Sequence, residues 1–447
     1  MKSLHVPFGF YPDAVGGTEV YVAALAQSLT RQNHPAVIAA PGNAAMQYLH
    51  EGVPVHRFAH DRVTHAAELY DEGDHTAADG FSRILDREQP DVVHLHAFTR
   101  ACSVLLVRRA RARGIPVVFT YHTPTVSCAR GTLMQWGKTP CDGTMQVSRC
   151  AACTLEGHGM PKLLAQLFGH LPASALAASA NLNGRGWTVL RFSSLIRRQH
   201  DATKALLNEV DRIVAFREWV RTLLIANGVP DSKIVSSRHA LCHPMSPRDR
   251  EPRRESDPLR IAFLGRLDPT KGLEILIRAL QLIPRALITL DVFGAVQGSG
   301  GQQELTRVRQ LAEGDARVRF KPPVDSASVI ETIAAHDVLA VPSQWMETGP
   351  LVVLEAFAAG VPVVGSALGG IAELVADNVN GLLVDDFRSP RAWAAALTRL
   401  CEPGVRQSLR ANVHEPATME HVTNEMLGIY EAITTGSKDA PVVSSVA

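Results

Sequence analysis

Glu347 and Glu355 stand eight positions apart in METGPLVVLEAFAAG, residues 346–360. Proline keeps the residue before it out of the α conformation and itself suits a first helical turn. A helix is therefore predicted to begin near Pro350, with Glu347 in the loop ahead of it. From Leu351 to Ala359, Glu355 is the single polar residue among aliphatic and aromatic neighbours. An unpaired buried carboxylate costs several kcal/mol, so it needs donors. A ligand bearing hydroxyls would supply them. The free backbone N–H groups at the helix start, around Gly349, Pro350 and Leu351, form an anion site that fits a phosphate. Eight helical residues span roughly 12 Å, the scale of a sugar, a diphosphate and a ribose in line. The plain alternative is a pair of structural glutamates, one solvated and one paired to a core arginine.

Other residue types converge on the same chemistry. In FLGRLDPTKGLEILIRAL, from Phe263, a strand ends at Gly265-Arg266 and a helix opens at Lys271-Gly272. That brings two cations to one edge, where they can stabilise a leaving diphosphate without a metal; a solvated basic turn is the other reading. In ALGGIAEL, the paired glycines Gly369 and Gly370 let backbone approach a ligand closely, or simply form a turn. In DAVGGTEVYVAAL, Gly16 and Gly17 follow the first strand and precede a helix whose expected cap is Thr18. IPVVFTYHTP places His122 at the carboxyl edge of a strand. DVVHLHA puts His94 and His96 on one side of another. His94 reads as a core histidine and His96 as an acceptor-side candidate. Asn380-Gly381 reads as a hairpin turn without chemistry.

Cys128, Cys141, Cys150 and Cys153 fall within 26 residues in a long, weakly patterned loop. Four thiolates in a reducing compartment suit a tetrahedral, structural zinc, with His158 as a reserve ligand. Unliganded thiols or a redox pair are the alternatives. Between Gly157 and His200 there is no acid, while Lys162, Arg185, Arg191, Arg197 and Arg198 are basic and leucines recur. This segment reads as a pocket for an anionic or lipid-linked acceptor, as a peripheral contact with an anionic membrane surface, or as a solvated basic helix pair.

The elements that must hold these residues are legible from apolar runs. Strands are expected at Leu4–Phe8, Ala36–Ala40, Val53–Phe58, Asp91–Leu95, Pro116–Thr120 and Arg212–Phe216. A second series is expected at Arg260–Leu264, Leu287–Phe293, Val318–Phe320, Asp337–Val341, Val361–Gly365 and Gly381–Val384. Helical periodicity separates many of them. Tyr21, Leu25 and Leu29, for example, recur every fourth residue. The alternation predicts an α/β protein with two Rossmann-like, doubly wound domains facing a central cleft, where ligands bind at strand carboxyl ends. Residues 244–258, with four prolines and eight charged residues, read as a linker. Domains are accordingly expected over 1–243, with the cysteine-bearing insertion at 124–158, and over 259–413. The tail 434–447 is expected to be disordered.

Composition narrows the classes. The chain is 46% hydrophobic and 20% charged with a net charge of +1, which excludes the strongly basic footprint of a nucleic-acid binder. No run of eighteen apolar residues predicts a membrane span. The opening MKSLHVPFGFYP is too short and polar for a signal peptide, so a cytoplasmic protein, at most peripheral at the inner face of the membrane, is expected. Its seven cysteines are then expected to be thiols or metal ligands.

The stretch DVLAVPSQWMETGPLVVLEAFAAGVPVVGSALGGIAELVADNVNGLLV, Asp337 to Val384, resembles the donor-site signature of glycosyltransferase family 4 (group 1), retaining enzymes of GT-B fold. The two glutamates match that family's E-x(7)-E pair. The resemblance implies a nucleotide-sugar donor and a glycan, lipid-linked or small-molecule acceptor, with no metal at the reaction centre. It implies that Glu355 binds the nucleotide ribose and Glu347 the donor-sugar hydroxyls. Arg266 and Lys271 would meet the diphosphate, and the Gly369-Gly370 loop the phosphates and sugar. Gly16-Gly17 would meet both donor and acceptor, and His122 would stand beside the anomeric carbon. A cysteine-bearing insertion after the histidine is similar to that of some bacterial members. The resemblance also implies that a final helix, 414–433, returns to the first domain. Two rivals share the donor: a nucleotide-sugar 2-epimerase, whose C2 acid and base are not found here, and a non-catalytic sugar-nucleotide-binding protein. RFKPPVDSASV is a candidate contact to the base, with proline where the family often has glycine.

Overall fold

A computed structural model describes residues 1–13, 16–63, 66–171, 185–242 and 257–435 of the 447-residue chain. Residues 244–256 of the expected linker and the tail from 436 lie outside the described residues. The chain divides into two compact units. One is Met1–Arg238 together with Met419–Ala447, and the other is His239–Thr418.

The first unit is built on ten strands: β1 (Ser3–Val6), β2 (Ala36–Gly42), β3 (Met46–His50), β4 (Val53–Ala59), β5 (Val92–Leu95), β6 (Val117–Thr120), β7 (Met134–Gln135), β8 (Thr139–Pro140), β9 (Arg212–Ala215) and β10 (Ile234–Ser236). Eight of them form one sheet in the order β10-β9-β6-β5-β1-β2-β4-β3, while β7 and β8 pair separately. The sheet is parallel except for β3, which runs antiparallel to β4 at the edge. Its central strands read SLHV, VVHL and VVFT and are buried along their whole length. Near-continuous apolar runs of this kind are what a parallel sheet covered on both faces requires. The chain order reverses between β1 and β5, which makes that pair the topological switch point.

The helix Gly17–Arg31 follows β1. Its cap is Gly16, whose N–H donates to the Glu19 carboxylate at 2.8 Å, so Thr18 lies inside the first turn rather than at the cap. The helix Met419–Thr434 packs with the helix Gly17–Arg31 in this unit.

The second unit has six strands, all parallel: β11 (Leu259–Arg266), β12 (Ile288–Ala295), β13 (Val318–Lys321), β14 (Val338–Val341), β15 (Val363–Ser366) and β16 (Gly381–Val384). Their order is β13-β12-β11-β14-β15-β16, a doubly wound arrangement with its switch point between β11 and β14. Leu276, Ile277, Leu290, Trp393 and Leu397 anchor the core on one face of this sheet, and Leu339, Val353, Val363 and Ile371 that on the other. The hairpin predicted at Asn380-Gly381 is absent. Gly381 instead opens β16, which runs parallel to β15, and Asn378 N–H in the turn before it donates to Gly381 O at 2.8 Å.

Candidate functional site

In the second unit the switch point gathers the predicted donor residues. β11 ends on Arg266, and the short turn Pro269–Lys271 follows, capped by the Asp268 carboxylate on Thr270 N–H. β14 ends at Val341, and the loop after it carries Ser343, Trp345 and Glu347. Glu347 is buried, and Lys271 Nζ reaches its Oε1 at 2.7 Å. Ser343 Oγ donates to the same oxygen, as does Trp345 Nε1 at 3.2 Å. Lys271 also lies 5.5 Å from the Trp345 ring centre. All three donors fall on Oε1, and among the described residues none reaches Oε2. Ser343 and Trp345 were missed by sequence reasoning, although both lie in the quoted signature just ahead of the glutamate.

Arg266 is exposed, and among the described residues no carboxylate pairs with it. It lines a concavity of about 510 Å³ with Asp268, Gln297, Gly300, Gly301 and Arg307. In the first unit a larger concavity, of about 700 Å³, lies at the amino ends of β5, β6 and β9.

Glu355 sits within the helix Leu351–Ala358, between the buried Leu354 and Ala356. Its side chain is half-buried, and among the described residues it has no hydrogen bond and no ion pair. Desolvation pushes the carboxyl up to about 7. The core arginine of the plain alternative is therefore absent among the described residues.

The glycines separate into two kinds. At Gly369, with φ +53°, a Cβ would stand 2.8 Å from Glu347 O, and at Gly370 it would stand 2.7 Å from Thr348 O. Gly370 N–H donates to Glu347 O at 2.6 Å. These two let the chain pack on its own Glu347 loop. Gly349 has the His239 ring where a side chain would go. Gly265, by contrast, has nothing within 4 Å of its missing Cβ, and Gly16 meets only the Glu19 carboxylate, at 3.3 Å.

In the first unit the register places four histidines together. His5 on β1 lies opposite His94 on β5, and His94 lies opposite Val118 on β6. Alternation then puts His5, His94, His96, Thr120 and His122 on one face of the sheet. His94 is fully buried and bonds Tyr430 Oη at 2.6 Å and Thr120 Oγ1 at 2.7 Å, so it is a core histidine tied to the returning helix. His96 is the acceptor-side candidate. It is 2% exposed, with Nε2 3.1 Å from His5 Nδ1 and Nδ1 3.0 Å from His122 Nε2. Both nitrogens are engaged inside the fold. Burial lowers His5 and His122 to about 3 and puts His94 and His96 well below the usual histidine range. His5 was missed by sequence reasoning, since a single histidine in SLHV carries no motif.

The four cysteines expected to hold a structural zinc lie on the inserted loop of the first unit. Among the described residues the one group with three donors within 4.8 Å of one another is His5, His94 and His96, whose nitrogens are already hydrogen-bonded. No three of Cys128, Cys141, Cys150 and Cys153 reach that spacing, while Cys128, Cys141 and Cys150 are near enough for their charges to interact. Cys153 Sγ takes the Trp136 N–H at 3.2 Å, and burial raises Cys141 and pushes Cys150 up to about 11. Ion pairs hold the loop. Arg130 binds Glu156 at 2.7 Å and Cys153 O at 3.0 Å, and Arg149 donates to Asp142 at 2.8 Å, holding that carboxyl down at about 2. His158 caps the helix Val147–Gly157 and lies edge-on to Phe192.

Comparison with known proteins finds two family models. One, Glycosyl transferases group 1, matches residues 246–417, and the other, Glycosyltransferase Family 4, matches 15–164. A D-inositol 3-phosphate glycosyltransferase of Acidothermus cellulolyticus is 32% identical over 352 residues, 75% of this chain and 70% of that protein. One of the same name from Jonesia denitrificans is 36% identical over 181 residues, 38% of this chain and 42% of that one. The match thus spans under half the length of that relative. Among solved structures, sucrose-phosphate synthase from Thermosynechococcus elongatus aligns with TM-score 0.66 at 18% identity, covering 98% of this chain and all of the other. Anabaena HepE in complex with UDP-glucose aligns with TM-score 0.62 at 16% identity, covering 97% and 100%. At these identities the structures show the shared GT-B fold. Among the described residues no helix is long and apolar enough to cross a membrane.

Proposed function

Because this chain belongs to the group 1, family 4 glycosyltransferases, we propose that it moves a sugar from a nucleotide-sugar donor to an acceptor with retention at the anomeric carbon. The observation that carries the reading is Glu355, a desolvated carboxyl inside an apolar helix with no cation on it among the described residues. A ribose bearing two hydroxyls supplies the donors it lacks. Glu347, with Oε1 saturated and Oε2 not, takes a donor-sugar hydroxyl. Lys271 holds that carboxylate in place and, with Arg266 and the helix start at Gly349, Pro350 and Leu351, stabilises the charge of the leaving diphosphate. Gly265 and Gly16, open where a Cβ would be, let the donor come against backbone. Gly17 opens the helix beside Gly16, and Gly369 and Gly370 buttress the Glu347 loop. His122 serves beside the anomeric carbon. In this reading the diphosphate takes the acceptor's proton and no metal acts at the centre.

The acceptor is proposed to be anionic or lipid-linked, at the inner face of a membrane. Leu163, Leu164 and Leu167 stand exposed on the helix Lys162–Gly169, within the stretch 157–200 that contains no acid. The relatives named for D-inositol 3-phosphate make a phosphorylated small molecule the other acceptor to try.

The test is a thermal-shift screen of UDP-, GDP-, ADP- and dTDP-sugars. A ligand at a hundred times its dissociation constant stabilises by about 2.7 kcal/mol. One nucleotide is expected to stand out, and Glu355→Ala to abolish its effect. A flat screen, or an undiminished shift in the variant, overturns the reading.

A further inference from the structure

Four of the chain's seven cysteines come from three places in the insertion. Cys128 follows the short turn Pro124–Val126, and Cys141 follows β8. Cys150 and Cys153 stand one turn apart on the helix Val147–Gly157. Backbone and arginine contacts draw these places together. Cys141 N–H donates to Leu133 O at 2.8 Å, and the carbonyl of the next residue, Met134, lies 3.9 Å from Cys153 Sγ. Arg130, two residues after Cys128, donates to Cys153 O at 3.0 Å. Arg149 and Asp142, neighbours of Cys150 and Cys141, are bonded to each other at 2.8 Å. Cys128, Cys141 and Cys150 lie within range of one another's charge, although no three sulfurs fall within 4.8 Å. Closing on an ion therefore takes rotation about Cα–Cβ, a step between staggered rotamers.

The surroundings favour charge on sulfur. Trp136 N–H donates to Cys153 Sγ at 3.2 Å. Backbone groups of Gly143 and Gln146 act in the same sense on the Cys141 and Cys150 sulfurs. Arg149 adds its positive field at both of those sulfurs, and Arg130 at Cys153. Four thiolates on a divalent ion leave a net negative charge, and donors and cations around the sulfurs are the outer contacts that such a centre uses. The backbone also calls for a cross-link. Leu133 and Trp136 hold φ at +52° and +56°, a conformation that persists where the surroundings over-determine it. The hairpin β7–β8, with two residues to a strand, is too small to do this alone.

We propose that Cys128, Cys141, Cys150 and Cys153 bind one zinc ion in a closed tetrahedral site that cross-links the insertion. Four sulfur ligands suit zinc and fill every position, so the ion is structural. It pins the loop and its hairpin to the helix Val147–Gly157. That helix in turn carries the next one, Lys162–Gly169, since a Cβ on Gly169 would stand 2.8 Å from Ala152 Cβ and from Ser148 O. The exposed Leu163, Leu164 and Leu167 thus ride on a platform that the metal holds. His158 is outside the ligand set, its ring lying edge-on to Phe192. None of this depends on the donor-site reading.

The test uses the full chain, made with zinc in the medium, purified under reducing conditions and dialysed against metal-free buffer. Elemental analysis is expected to find about one zinc per chain and no iron. Cobalt(II) added to the chelator-stripped chain should give the intense visible bands of a four-coordinate sulfur site, and zinc should bleach them. Cys141→Ser and Cys150→Ser should each weaken zinc retention by about tenfold or more, the cost that even an outer partner carries. His158→Gln and Cys401→Ser should not change it. Where the serine variants do not fold, the cobalt titration of the wild-type chain decides. A chain that holds no zinc and gives no cobalt bands overturns the proposal, as does zinc retained when Cys141 and Cys150 are both serine. Iron with acid-labile sulfide overturns the choice of metal. Stripping zinc should speed hydrogen exchange in peptides over 128–169 and leave those of β11–β16 unchanged; unaltered exchange at 128–169 overturns the cross-link. A chain that holds zinc but no nucleotide sinks the proposed function alone, and the reverse sinks the zinc site alone.

Discussion

The carboxyl of Glu355 loses water on folding and gains no cation among the described residues, so its protonated form is the favoured one. Its value rises from 4.5 when solvated to about 7 in the fold. Between these limits the native state binds the extra proton, so stability falls as pH rises from 4.5 to 7 and stays reduced above. At 1.36 kcal/mol per tenfold change in proton activity, the ceiling is about 3 kcal/mol, lowered by the partial exposure of the side chain. Glu355→Gln, which keeps the shape and removes the charge, is expected to stabilise the unliganded chain by about 1–2 kcal/mol at pH 8 and by little at pH 4.5. Urea unfolding at the two values measures this. Equal stabilisation at both would show that the gain does not come from removing the carboxylate charge. The same variant should lose the thermal shift given by the nucleotide. A group kept for binding and costly without ligand is the pattern expected of a functional residue.

At the scale of elements, the two glycines flanking the turn after β11 should behave oppositely. Gly272 has φ +72°, and a Cβ on it would land on the carbonyl oxygen of Pro342. Gly272→Ala therefore forces the β11 turn off the β14 loop and is expected to destabilise by about 3 kcal/mol or more, since backbone rather than a flexible side chain is in the way. Gly265→Ala meets nothing within 4 Å and should leave the melting temperature of the unliganded chain unchanged, while weakening donor binding at least tenfold. Calorimetry of both variants with and without nucleotide checks the pair. A tolerated Gly272→Ala would contradict the close approach of the two loops. The contrast also marks what the sequence could carry. The G-R-x(4)-K-G pattern and the Glu347–Glu355 spacing were legible, because each sits on one strand-to-helix turn. That Lys271 closes on Glu347 was not, because it depends on β11 and β14 being neighbours across the switch point, 76 residues apart in the chain. Likewise the apolar runs gave away the central strands. β3, reading MQYLH and mostly exposed, and β10, only three residues long, left no such pattern. The Glu347 loop also explains Gly369 and Gly370 by contact with the chain itself, a reason that spacing alone could not separate from contact with a ligand.

For the molecule as a whole, acid should act on the two units in opposite senses. In the first unit His5 and His122 are held neutral by burial at about 3, against 6.5 when solvated. Below 6.5 the unfolded chain binds protons that the native unit refuses, so stability is full above that value and is lost as pH falls toward 3. Each group is worth on the order of 5 kcal/mol over that range, against a total of about 5–15 kcal/mol for a typical domain. In the second unit the Glu355 carboxyl works the other way, losing its penalty as it protonates below 7. Lowering pH from 7.5 to 5 is therefore expected to loosen β1, β5 and β6 first, while the helix Leu351–Ala358 holds or tightens. Hydrogen exchange followed by mass spectrometry, corrected for the intrinsic rate at each pH, resolves the two sets of peptides in one sample. His5→Asn, which removes one titrating ring from β1, should lessen the acid response of the first unit without changing that of the second. Parallel loss of protection in both units would mean that they unfold as one cooperative body and that the histidine array does not set the acid limit. Loss in the second unit first would overturn the assignment of opposite signs.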